Sequence, residues 1–222
     1  ARADRLALPP PAFAPDSDQT LVSLLAWAGP AGTGHVVIDS AMGMEVREDL
    51  PIRRLERHVA SLGVDWTLLR PNFYMETFGE GFLGRRIRGS GRFSMPVQGA
   101  LVSVVGGADV AAVAAEVLTS SGHSGRAYTL TGPEALTHEE IAALISEAAG
   151  REIRFEPCTD GEMLGWLTGA GWRPDVAGVV IAMYQSVRAG VRASVTEDVA
   201  NVLGRPARSF ADFAKRHADL WS

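Results

Sequence analysis

Gly63-Val64-Asp65-Trp66-Thr67-Leu68-Leu69-Arg70-Pro71-Asn72-Phe73-Tyr74-Met75-Glu76-Thr77 is the stretch on which the fold turns. Leu68 and Leu69 are apolar in succession, which suits a strand buried on both faces of a parallel sheet. The reading is a short strand from Trp66 to Arg70. Pro71 has no N–H to give a sheet ladder, so the strand stops there. Asn72, Phe73 and Tyr74 follow at its carboxyl end, where open α/β sheets form their ligand crevices.

Toward the amino terminus, His35 to Asp39 carries Val36, Val37 and Ile38 in a row, a second strand of the same doubly buried kind. Ser40-Ala41-Met42-Gly43 lies at its end. Between the two strands, Pro51 is suited to open a helix that runs to Leu62, with Leu55, Val59 and Leu62 on one side. Arg5 to Leu8 reads as a further strand ending in Pro9-Pro10-Pro11. Asp16 or Ser17 is placed to cap a helix with Leu21, Leu24, Leu25 and Ala28 at i, i+3, i+4 and i+7. Gly29 to Gly34 breaks that helix. Strand, helix, strand, helix, strand at this spacing predicts βαβ units, a parallel sheet and right-handed crossovers.

Toward the carboxyl terminus, a helix after Tyr74 is expected to carry Phe78 and Phe82 into a basic turn, Arg85-Arg86-Ile87-Arg88, read as a solvated face rather than a phosphate site. Arg92 to Val105 reads as extended. Asp109 is expected to cap a helix from Val110 to Leu118, and Ala127 to Leu130 to form another strand. Thr137 with Glu140 three residues on is a capping box for a helix ending at Gly150. Ile153 to Phe155 reads as a strand, 159–168 and 174–191 as helices, Asp198 to Leu203 as a short helical turn, and Ser209 as the cap of the last helix. The shift toward helix near residue 132 predicts two parts. Residues 1–131 form a sheet domain, and 132–222 a small helix-rich C-terminal lobe.

Of 222 residues, 46% are hydrophobic and 21% charged, with a formal net charge of −5. That composition describes a globular chain with a sizeable core, and its acidic balance argues against a nucleic-acid surface. No apolar run is long enough for a membrane span. The single cysteine, Cys158, rules out an internal disulfide and reads as a packing thiol in a cytoplasmic protein. His58 and His138 have no second ligand at metal spacing and read as surface histidines, so no metal is expected.

The run from Glu56 to Glu76 resembles the central signature of the NmrA-like proteins, atypical short-chain dehydrogenase/reductases that bind NAD(P)(H). His35 to Ala41, Tyr128 to Glu134 followed by Leu136-Thr137, Val195 to Asp198 and Gly204 to Phe210 are similar to further segments of that family. The resemblance implies a Rossmann-like fold, NADP or NAD as cofactor, and a small carbonyl or quinone-like acceptor as substrate. It implies Ser40 as the catalytic residue that polarises the acceptor. It also implies Pro9, Ser40, Pro71, Asn72, Phe73 and Tyr74 as cofactor contacts, and Met75, Phe78 and Trp166 on the substrate side. Taken from the residues alone, Phe73 and Tyr74 could equally be core aromatics closing the sheet edge. Ser40 could be a plain loop residue, and Met75, Phe78 and Trp166 could be core.

Two departures from the family pattern stand out. The strand, Gly-x-x-Gly-x-x-Gly turn and helix that hold a pyrophosphate are not found in the sequence, and the chain is expected to begin at the family's fourth strand. Gly29, Gly32 and Gly34 follow a helix and precede a strand, the wrong order for an anion cradle. Ile52 stands where related chains can carry a lysine, and the adjacent Arg53 and Arg54 cannot relay a proton. A cofactor-sensing regulator, or a truncated chain that binds no dinucleotide, therefore stays open beside the oxidoreductase. An incomplete sheet bares a strand edge, which predicts a homodimer or a protein partner.

Overall fold

The computed structural model describes residues 4–8, 17–28 and 32–222. In chain order the elements are β1 (Arg5–Leu8), α1 (Ser17–Ala28), β2 (His35–Asp39), α2 (Pro51–Ala60), β3 (Asp65–Pro71), α3 (Gly81–Ser90) and β4 (Arg92–Phe93). There follow α4 (Gly107–Thr119), β5 (Arg126–Leu130), α5 (His138–Ala149), β6 (Arg154–Phe155), α6 (Asp160–Gly169), α7 (Pro174–Arg188), α8 (Asp198–Leu203) and α9 (Phe210–Arg216). They group into two compact units. One comprises Ala1–Asn72, Ala108–Leu130 and Glu197–Pro206, the other Phe73–Gly107, Thr131–Thr196 and Ala207–Ser222. The chain passes between the units at 72/73, 107/108, 130/131, 196/197 and 206/207.

The first unit is built on a four-stranded parallel sheet in the order β1-β2-β3-β5. Because side chains alternate along a strand, Val36, Ile38 and Leu68 face one side. There they join Leu21 and Leu25 of α1 and Leu55 and Val59 of α2 in one buried cluster. Val37 and Leu69 are also buried, at 1% exposure each. The successive apolar residues therefore do fill a strand covered on both faces. Pro71 is the last paired residue of β3, opposite Leu130, and its carbonyl accepts a 2.9 Å bond from the Met42 N–H. The Asp16/Ser17 cap cannot be placed, since Asp16 and the Ser17 side chain lie outside the described residues.

Asp109 does not cap its helix. The helix begins earlier, at Gly107, and Asp109 sits in its first turn, fully buried, where the Arg205 guanidinium donates to it at 2.7 Å. The bond to Arg205, 96 residues away in sequence, holds this carboxylate.

In the second unit, Phe78 meets Phe93 and Phe210 edge-on at 5.6 Å each, and its carbonyl accepts from the Trp221 indole N–H at 2.8 Å. The segment after Tyr74 is a 3-10 turn, Met75–Phe78, not the start of a helix. Glu76 there turns its carboxylate onto the Gly107 N–H at 3.0 and 3.1 Å, supplying the anion that the first turn of α4 favours. The extended reading of Arg92 to Val105 reduces to β4, paired in parallel with β6, and to single bridges at Val102 and Val105. Thr137 and Glu140 close their capping box as the sequence predicts, and Ser209 caps α9. Thr159 and Glu162 form a second box that sequence reading passed over.

Gly132 follows β5, and a methyl group built on it would fall deep inside contact with the Val104 carbonyl oxygen. Gly132→Ala is expected to lower the unfolding free energy by about 1–3 kcal/mol through overpacking against backbone, measured by urea denaturation. A change below a few tenths would show that the 104 and 132 segments separate freely.

Candidate functional site

Ser40 lies just past β2, and Glu56 is on α2 four residues after Ile52 and three before Val59. A helix returns to the same face at those intervals, so the apolar stripe delivers Glu56 inward: its side chain is fully buried. Three groups hold it. Ser40 Oγ donates to Oε1 at 2.6 Å. Arg70, at the end of β3, donates through Nε at 2.9 Å and Nη2 at 2.8 Å to the two carboxylate oxygens, and Arg53 Nη1 donates to Oε2 at 2.8 Å. Burial alone would raise the Glu56 pKa, but the bonds from Arg70, Ser40 and Arg53 outweigh it and hold the carboxyl below its ordinary value. A carboxylate only accepts, so the Ser40 proton is committed to it. For Ser40 to polarise an acceptor it must first leave Glu56. Ile52, which stands at the lysine position, packs against the hydrophobic cluster. The sequence offered a signal for this arrangement, an acidic residue on an apolar stripe, and reading by motif missed it.

Asn72 is buried, and its backbone N–H donates to Leu130 O at 2.9 Å. In the second unit, Phe73 and Tyr74 are half-buried. Phe73 stacks on Tyr184 with centroids 6.3 Å apart and planes 5° off parallel, and the Arg192 guanidinium lies 5.6 Å from its ring centre. Phe73 is nonetheless not sealed away. It lines a small apolar cleft of about 10 Å³, room for about one water molecule, together with Thr77, Phe78, Met95, Val102, Val104, His138 and Val187.

The other expected site residues divide. Met75 and Phe78 are buried at 1% and 2% exposure, and only Phe78 reaches the cleft. Trp166 is half-buried with the Arg86 guanidinium 4.8 Å above its ring, and it does not line that cleft. Pro9 lies outside the described residues. Arg85 and Arg88 of the basic turn are exposed, as expected of a solvated face, and Arg88 also donates to the carbonyls of Gly79 and Leu220; Arg86 departs from it by packing on Trp166 and Phe82. His138 is not on the surface either. It is 2% exposed, between Phe78 and Phe155, because its place at the start of α5 faces the aromatic core. Its Nδ1 is buried without a hydrogen-bond partner. Burial pushes the Cys158 thiol up to about 11, in keeping with a packing residue.

No family model matches the chain. It is 36% identical over 208 residues to an NAD(P)H azoreductase of Xenophilus azovorans, a match covering 92% of this chain and 72% of that protein. An NADPH-dependent quinone oxidoreductase of Escherichia coli, solved with NADPH, superimposes with a TM-score of 0.85 at 20% identity, over 96% of this chain and 76% of that one. The negative transcriptional regulator NmrA, solved with NAD, superimposes with a TM-score of 0.71 at 15% identity, over 95% and 73%. Those two structures speak for the fold.

Proposed function

This chain belongs to the NmrA-like family of NAD(P)-binding Rossmann proteins, and from that premise we propose that it serves an NAD(P)H-dependent reductase of quinone-like acceptors. The similarity to an NAD(P)H azoreductase along 92% of the chain carries the reading.

Asn72, Phe73 and Tyr74, consecutive past β3, are the residues we assign to the nicotinamide end. The described strand-to-helix turns carry no glycine-rich cradle, so no residue is assigned to the pyrophosphate. A bound dinucleotide would supply the hydride. The chain's part is to orient the acceptor and exclude water, with the proton taken from solvent. Ser40 joins this scheme only by exchanging its bond to Glu56 for one to the acceptor. No described helix is long and apolar enough to cross a membrane. We place the protein in the cytosol.

The test is direct. The purified chain should bind NADPH or NADH saturably by calorimetry and oxidise it when a naphthoquinone or an azo dye is added. Saturable binding with no oxidation across a panel of such acceptors would point instead to a cofactor sensor. No binding at millimolar dinucleotide would overturn the reading.

A further inference from the structure

We propose that Arg86, held against the rings of Trp166 and Phe82, is a specificity-determining residue that binds a carboxylate substituent on an aromatic acceptor. The proposal deepens the reductase reading above and rests on it for the identity of the ligand as an acceptor.

Arg86 stands on α3 of the second unit, four residues after Phe82, so the two side chains share one face of the helix. Its guanidinium carbon lies 5.8 Å from the Phe82 ring centre and 4.8 Å from that of Trp166 on α6. Both distances fall within the range of cation–π attraction, which is strongest on tryptophan. That contact fixes where the guanidinium sits but spends none of its five N–H donors. Among the described residues no group accepts a hydrogen bond from Arg86. Its Nε is buried and unbonded, whereas Nη1 and Nη2 are unbonded without being buried, so the outer edge of the fork faces solvent. Buried N–H groups are nearly always paired, and a half-sunk guanidinium with no bond spent is an exception that calls for a reason.

The acids nearby do not supply one. Asp160, Glu162 and Arg86 all act on the Cys158 thiol, which places the three around one point. Asp160 is taken by Arg188 at 2.8 and 2.9 Å and by Gln185 at 3.0 Å, and Glu162 closes the capping box of Thr159. Arg86 is left to the rings although two carboxylates lie within electrostatic reach of the same thiol. The chemistry of the ligand follows. A guanidinium is planar, always charged and offers paired donors that match a carboxylate. The neighbouring Arg85 is exposed and adds positive charge. Because the rings already hold the cation in place, less freedom is lost when an anion pairs with it. The half-buried indole offers apolar surface to the aromatic body that carries the carboxylate.

Equilibrium dialysis of the full chain against 4-(phenylazo)benzoate and against its uncharged carboxamide tests this. The benzoate is expected to bind about tenfold more tightly, the worth of one charge-assisted bond. Arg86→Met keeps the apolar contact with the rings and should bring the two dyes to within about twofold. Arg86→Lys keeps the charge without the fork and should lower the ratio roughly threefold. Equal affinities in the wild type, or a benzoate preference that survives in Arg86→Met, would overturn the proposal. If Arg86→Met fails to fold, an unchanged ratio in Arg86→Lys does the same. Calorimetry with NADPH, and its oxidation by the carboxamide dye, separate the two readings. Turnover without a charge preference sinks the Arg86 site alone, whereas a preference that depends on Arg86 without NADPH binding sinks the reductase and leaves the site standing.

Discussion

Glu56→Ala is expected to lower the unfolding free energy by about 3 kcal/mol, the low end of what breaking a buried ion pair costs. The residue is fully buried and receives four hydrogen bonds, from Ser40, Arg53 and both donor groups of Arg70. Removing it leaves Arg70 and Arg53, with side chains only 13% and 18% exposed, facing a cavity. Their other partners, Glu45 for Arg70 and Glu48 for Arg53, keep the cost from running higher. At roughly 2–4 °C per kcal/mol for a chain of this size, Tm should fall by about 6–12 °C. Ser40→Ala removes one bond to a charged group and should cost about 1.5–3 kcal/mol. Differential scanning calorimetry of the two variants checks both. A Glu56→Ala protein that melts within about 1 °C of wild type would show that the cluster does not hold β2, α2 and the end of β3 together.

Acidification from pH 6.5 to about 4 is expected to remove about 3 kcal/mol of stability through His138 alone. The folded protein keeps this imidazole neutral down to about 4, because burial disfavours its charged form. The unfolded chain protonates it near 6.5, so between those values the unfolded state binds more protons. The contribution is therefore complete above pH 6.5 and is lost as pH falls toward 4. His35 is shifted the same way, chiefly by burial, and adds to the loss. Glu56 acts in a lower window: its depressed pKa contributes stability that is present above its ordinary value and lost only below it. Urea midpoints at pH 7.5 and 4.5 should accordingly differ much less in His138→Gln than in wild type. Equal losses in the two proteins would mean that His138 is protonated in the folded state.

Local physics made much of the fold legible. Val36-Val37-Ile38 and Leu68-Leu69 announced strands covered on both faces, and the parallel register of β2 with β3 follows from the helix between them. Thr137 and Glu140 announced the start of α5, since a capping box is made within four residues. The errors fell where a long-range partner overrides a local preference. Asp109 was read as a cap and is claimed by Arg205. Arg88 is exposed, as a solvated face requires, but Arg86 packs over the Trp166 ring.

The sequence by itself determined the α/β class, the succession of strands and the family, because each is written in nearest-neighbour pattern: apolar runs, caps and a signature of consecutive residues. The tertiary structure alone decided that Ser40 gives its proton to Glu56, that Phe73 keeps an edge on a cleft, and that His138 lies buried with a nitrogen unspent. Each of those depends on residues brought together across long stretches of chain, and hydrogen bonds and burial are set by distance in space, which pattern along the sequence does not carry.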